Sequence, residues 1–111
     1  MANAVYKLAN INGYTTPIGN RGLGVRTLSW NTGNYVTGGY SAGNQSFGLR
    51  GFDTAWAGIS KGGTYRVEAQ IESGAGGKTV NFRLLVLATG LEVANGVALT
   101  ADSVTVGAIG G

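Results

Sequence analysis

The chain has 111 residues and a mass of 11.3 kDa, which is material for one domain and one core. Eight basic and five acidic side chains give a net charge of +3 with no run of like charge, which excludes the clustered basic footprint of a nucleic-acid-binding module. No His and no Cys are present, so imidazole and thiol nucleophiles, zinc and haem ligation and disulfides are excluded as well. The 21 glycines far exceed an average usage of about 7%, and each costs a helix interior about 1 kcal/mol relative to Ala, so the composition points to short strands and many turns.

In chain order, residues 5–11 predict a strand ending at Asn12 and Gly13, so that residues 1–12 form an N-terminal arm or an edge strand. Pro17 confines the segment after it to an edge or a loop, because it cannot donate to a ladder. Residues 23–30 predict another strand. From 31 to 63 glycines alternate with aromatics, and short strands are expected near Tyr35 and Phe47, joined by long loops. Period-two alternation over 64–72 and again over 79–88 predicts an antiparallel hairpin across a Gly-rich turn. Placing Glu72 opposite Thr79 sets Val67 against Leu84, Ala69 against Phe82, and Glu68 against Arg83; a one-residue slip would mismatch every pair.

The polar face of that hairpin ends in Leu85 and Leu87. Either another part of the chain covers them or they form a subunit contact. Residues 91–94 and 97–99 flank Asn95 and Gly96, the strongest two-residue hairpin signal. A turn is expected at Ala101, Asp102 and Ser103, then a closing strand over 103–109 with Val104, Val106 and Ala108 on one face. The whole reads as a single all-β domain over 1–111: an antiparallel β-sandwich of seven or eight short strands, of jelly-roll type, with little or no helix.

Motifs of chemistry are few. Gly77, Lys78 and Thr79 imitate the end of a phosphate-binding loop, but Glu72 stands where that loop needs Gly and a strand comes next where it needs a helix. Glu68 and Glu72 share a strand face roughly 13 Å apart, beyond the reach of a glycosidase pair. No Asp-rich loop offers calcium several oxygens. The expectation is therefore no catalytic residue, no metal and no cofactor. No segment approaches 18 uninterrupted apolar residues and no secretory pattern opens the chain, so no membrane is expected and synthesis in a cytoplasm is. A charged fraction of only 12% is low for a free monomer and favours an assembled state. Trp30, Tyr35, Tyr40 and Trp56 could form a sugar-stacking platform, although core packing competes for each.

The run Lys61-Gly62-Gly63-Thr64-Tyr65-Arg66-Val67-Glu68-Ala69-Gln70-Ile71-Glu72, followed by Lys78-Thr79-Val80-Asn81-Phe82-Arg83-Leu84, resembles the central hairpin of jelly-roll proteins, among them carbohydrate-binding modules and small virion proteins of tailed bacteriophages. The chain as a whole looks most like a phage head decoration or cement protein. That resemblance implies a virion structural protein made in the host cytoplasm and placed on the capsid exterior. It further implies a homo-oligomer, as a trimer, bound to the major capsid protein. Leu85, Leu87, Trp56 and Phe52 are the candidate contact residues. A carbohydrate-binding module or lectin-like sandwich is the alternative.

Overall fold

The computed structural model describes residues 2–10, 16–18, 21–72 and 77–111. Eight strands are present among them: β1 (Tyr6–Asn10), β2 (Thr16–Ile18), β3 (Arg21–Trp30), β4 (Tyr40–Gly43), β5 (Thr54–Trp56), β6 (Tyr65–Ile71), β7 (Thr79–Val86) and β8 (Asp102–Gly110). They form two antiparallel sheets packed face to face, the all-β sandwich that the alternating patterns predict. The first sheet runs β1-β3-β8-β5, with β2 pairing the far end of the same edge of β3, and the second runs β4-β7-β6. From β3 to β8 the chain visits the sheets in the order first, second, first, second, second, first. The β3–β8 pair thereby encloses the β4–β7 pair, while β6 pairs with β7 in the second sheet and β5 with β8 in the first.

The hairpin β6–β7 has the register its sequence specifies: Tyr65 opposite Val86, Val67 opposite Leu84, Glu68 opposite Arg83, Ala69 opposite Phe82 and Ile71 opposite Val80. Its turn, at 73–76, lies outside the described residues. Val67, Val80, Phe82 and Leu84 are buried, and they meet Leu28, Trp30, Val104, Val106 and Ala108 of the first sheet. Each buried Val, Leu or Phe contributes about 1.5–3 kcal/mol by leaving water, so the match of the two inner faces fixes the sandwich. Phe47, Phe52 and Leu49 close one end of the core, with the Phe47 and Phe52 rings edge-on at 5.5 Å. Tyr35, Val93 and Leu99 close the other.

Several expectations need correction. No strand forms at Tyr35; its neighbour Asn34 makes only single bridges, to Asn3 and Ala98. Around Phe47 the chain makes a 3-10 turn, Asn44–Phe47, because Phe47 must drop into the core between the sheets. The strands at Tyr40–Gly43 and Thr54–Trp56 have too few residues to show a period.

Asn95 and Gly96 do form a turn, with Gly96 in the left-handed region at φ 85°, yet the flanking residues do not pair with each other as a hairpin. Residues 91–93 pair with the end of β7 instead (Val86 N to Leu91 O 2.8 Å, Val93 N to Leu84 O 2.9 Å), and 97–99 pair with 33–35 (Tyr35 N to Val97 O 2.8 Å, Leu99 N to Gly33 O 2.8 Å). Buried backbone must be paired, and each arm finds a partner that also buries it. Asp102 opens β8 and is not part of a turn. Residues 6–10 are an edge strand of the first sheet, and Pro17 lies in β2, which pairs with β3 alone; residues 11–13 lie outside the described residues.

Candidate functional site

The aromatics expected to form a platform are not brought together. Trp30 is 4% exposed, and its indole Nε1 donates to the Thr100 carbonyl at 2.9 Å while its ring meets Tyr65 edge-on at 6.0 Å. Tyr35 is wholly buried. Tyr40 is half-buried and stacks on Tyr6 at 5.3 Å. Only Trp56 stays open, 40% exposed, on the outer face of the first sheet. A flat cluster of these four residues is therefore excluded by the fold: three of them serve the core and one faces water on the other side of a sheet.

Of the four candidate contact residues, Phe52 is buried against Phe47 and cannot touch a partner. Leu85 is half-buried, flanked by Arg66 of β6 and by Glu92, so the first of the two explanations for it holds in part: residues 91–93 of the same chain lie beside it. Leu87 is exposed, but in the turn after β7 and not on the hairpin face.

That turn belongs to a larger feature that sequence periodicity does not show. Tyr6, Trp30 and Asp102 lie level across the first sheet, and Tyr65 and Val86 level across the second. The contact of Trp30 with Tyr65, and the bond from Thr100 N to the Tyr65 hydroxyl at 2.9 Å, bring those levels together at one end of the sandwich. Residues 2–5, 31–39 and 87–101 all lie at this end. It exposes Leu91 (69%), Val5 (66%), Val97, Val36, Leu87 and Val86, six of the eight exposed large apolar side chains among the described residues. The only charged residue in these three segments is Glu92. Its carboxylate is occupied by the Tyr35 hydroxyl at 2.6 Å and the Gly38 amide at 2.8 Å, which hold it below the usual carboxylate range. The end thus exposes apolar side chains among neutral polar ones and has no free carboxylate. The missing charge was readable in the sequence; the convergence of the three segments was not.

The outer face of the second sheet is polar by contrast. Arg83 bonds both Glu68 at 2.7 Å and Gln70 at 2.6 Å, and Asn81 bonds Ser41 and Glu72. Glu68 and Glu72 are therefore each engaged by a neighbour on β7. On the inner side of the first sheet, buried Arg26 donates from Nε to the Ser46 carbonyl at 3.0 Å and lies 5.7 Å over the Phe47 ring; burial lowers its pKa. Among the described residues no three Asp or Glu side chains gather as a metal site would require, and no helix is long and apolar enough to cross a membrane. No family model matches this chain, and no curated protein or solved structure is significantly similar to it.

Proposed function

We propose that the chain is a structural protein of a larger assembly: a head decoration or cement protein of a tailed bacteriophage, self-associating as a trimer and seated on the outer surface of the major capsid protein. The observation that carries this reading is the apolar loop end, where Val5, Val36, Val86, Leu87, Leu91 and Val97 stand exposed around a single, already occupied carboxylate. Contiguous apolar surface beyond a few hundred Å² is rare on free monomers and marks contacts. At about 25 cal/mol per Å², a modest area buried at every copy on a shell adds up to a large resistance to separation. Cyclic symmetry lets the same patch serve on each subunit.

No catalytic step is assigned to this protein. Its place is the capsid exterior, after synthesis in the host cytoplasm. The test is sedimentation combined with binding to shells assembled from a tailed-phage major capsid protein. The wild type is expected to sediment as a trimer and to bind the shells. The double substitution Leu91→Asp, Val97→Asp is expected to keep the thermal midpoint and lose both properties. A wild type that is monomeric at micromolar concentration and does not bind the shells overturns the proposal.

A further inference from the structure

A second surface lies on the outer face of the first sheet, beginning one residue in from the level of Tyr6, Trp30 and Asp102. Residues 58–62 cross from the second sheet to the first, tied to β6 by Val67 N to Gly58 O and Ser60 N to Tyr65 O, each 2.8 Å, and to β8 by Lys61 N to Ser103 O at 2.7 Å. This strap forms one wall of a groove of about 570 Å³, inside the ~300–1,000 Å³ range of small-molecule sites. The floor is set by strand register. Ser29 lies opposite Ser103 and Thr27 opposite Thr105, all on the outward side of β3 and β8. The hydroxyls of Thr27, Ser103 and Thr105 make no hydrogen bond to another described residue, and that of Ser29 reaches only the Lys7 carbonyl at 3.5 Å.

The next outward position of β8 is Gly107, and the Trp56 ring lies directly on it; a Cβ there would collide with the ring. The indole is thereby held at the end of the hydroxyl rows. Lys61, on the strap, lines the groove, and Lys7, paired with Ser29, faces outward at the opposite end of the same row, beyond the groove's lining. The nearest carboxylate, Asp102, is taken by the amides of Gly62 at 3.0 Å and Ser103 at 2.8 Å.

We propose that this groove binds an acidic saccharide, a chain of sugar rings carrying carboxylates. Each part of the site answers to one part of such a ligand. The hydroxyl rows exchange hydrogen bonds with ring hydroxyls, both being donors and acceptors. Trp56 offers an apolar face to the CH side of a ring. Lys61 and Lys7 supply compact positive charge at the two ends, suited to a carboxylate, while the oxygens of neighbouring Asp102 are turned to backbone amides. The strap is already bonded in place, so little ordering is needed on binding.

The probe is α-1,4-linked tetragalacturonate, titrated by calorimetry and by tryptophan fluorescence, with cellotetraose and an oligothymidylate as comparisons. Tetragalacturonate is expected to bind, more weakly as salt is added, and more tightly than either comparison. Lys61→Gln and Trp56→Ala are each expected to weaken it about tenfold. Thr105→Val, whose side chain points outward and whose fold is checked by its melting curve, is expected to weaken it as well. Leu91→Asp is expected to leave it unchanged, which separates this site from the assembly surface. Absence of binding, equal binding of cellotetraose, tighter binding of the oligonucleotide, or affinity indifferent to Lys61→Gln and Trp56→Ala would each overturn the proposal.

Discussion

The Tyr35 hydroxyl donates to the Glu92 carboxylate at 2.6 Å while accepting from the Leu84 amide at 3.3 Å, so one buried phenol joins the end of β7 to two separate loops. Burial, and then the bond to Glu92, push the phenol pKa upward, and the same bond draws the Glu92 carboxyl below its ordinary value of 4.5. A carboxyl depressed in the folded state contributes stability above its unfolded pKa and loses that contribution as pH falls through the folded one. The melting temperature is therefore expected to decline on acidification below about pH 4.5, and Glu92→Gln to make that decline shallower. Tyr35→Phe is expected to cost about 1–2 kcal/mol at neutral pH in denaturant titrations, since the Leu84 amide and the carboxylate both lose a partner.

Tyr6 gives the opposite dependence. Its hydroxyl is buried without a hydrogen-bond partner among the described residues, and burial, helped by Tyr65, pushes its pKa from 10.0 up to about 12. An acid whose folded pKa is raised stabilises fully below the unfolded value and loses that contribution as pH climbs from 10 towards 12. Tyr6→Phe is expected to flatten the alkaline limb of a stability–pH curve. At pH 7 it is expected to be neutral or stabilising by up to about 1 kcal/mol, because it removes an unsatisfied polar atom.

Gly107 and Trp56 are coupled through space that a methyl group would fill. Gly107→Ala is expected to destabilise by about 1–3 kcal/mol through overpacking and to shift Trp56 emission as the ring is displaced. Adding Trp56→Ala removes the clash. The two changes together are expected to cost less than their sum, and strict additivity in the double-mutant cycle would contradict the contact.

The pair Glu68–Arg83 is a cross-strand bridge on an open face. Reversing one charge, Glu68→Arg, is expected to cost about 0.2–1 kcal/mol, and the exchange Glu68→Arg with Arg83→Glu to recover most of it. Added salt is expected to shrink both effects.

The legibility of each element in the sequence depends on how local its signal is. The hairpin β6–β7 carries its register in its own residues, since every apolar side chain of one strand has an apolar partner in the other, and the structure agrees pair by pair. β3 and β8 are marked by the same alternation, though their mutual pairing is not. Residues 91–99 mislead because Asn95-Gly96 specifies a turn but not which strands its arms join; β7 and residues 33–35 compete for them and win. Arg26 sits at a position that alternation assigns to the core, and the Ser46 carbonyl and the Phe47 ring, both remote in sequence, help to hold its guanidinium there. Trp56 is the one member of the expected platform that stands open. Its neighbour in space, Gly107, and the groove residues Thr27 and Thr105 come from strands far away in sequence, which is why the groove has no linear signature.

The placement of β8 between β3 and β5 bears on how the polypeptide matures. As the ribosome delivers the chain, β1 and β2 can settle on one edge of β3, while its other edge stays bare until residues 102–110 emerge. The first sheet is therefore completed only once residues 102–110 have been made, about 70 residues after β3, and the waiting edge is the one most open to mispairing with a neighbouring nascent chain. Truncation within β8 deprives β3 and β5 of their shared neighbour, so an early stop codon there disables an entire sheet and not merely its last strand.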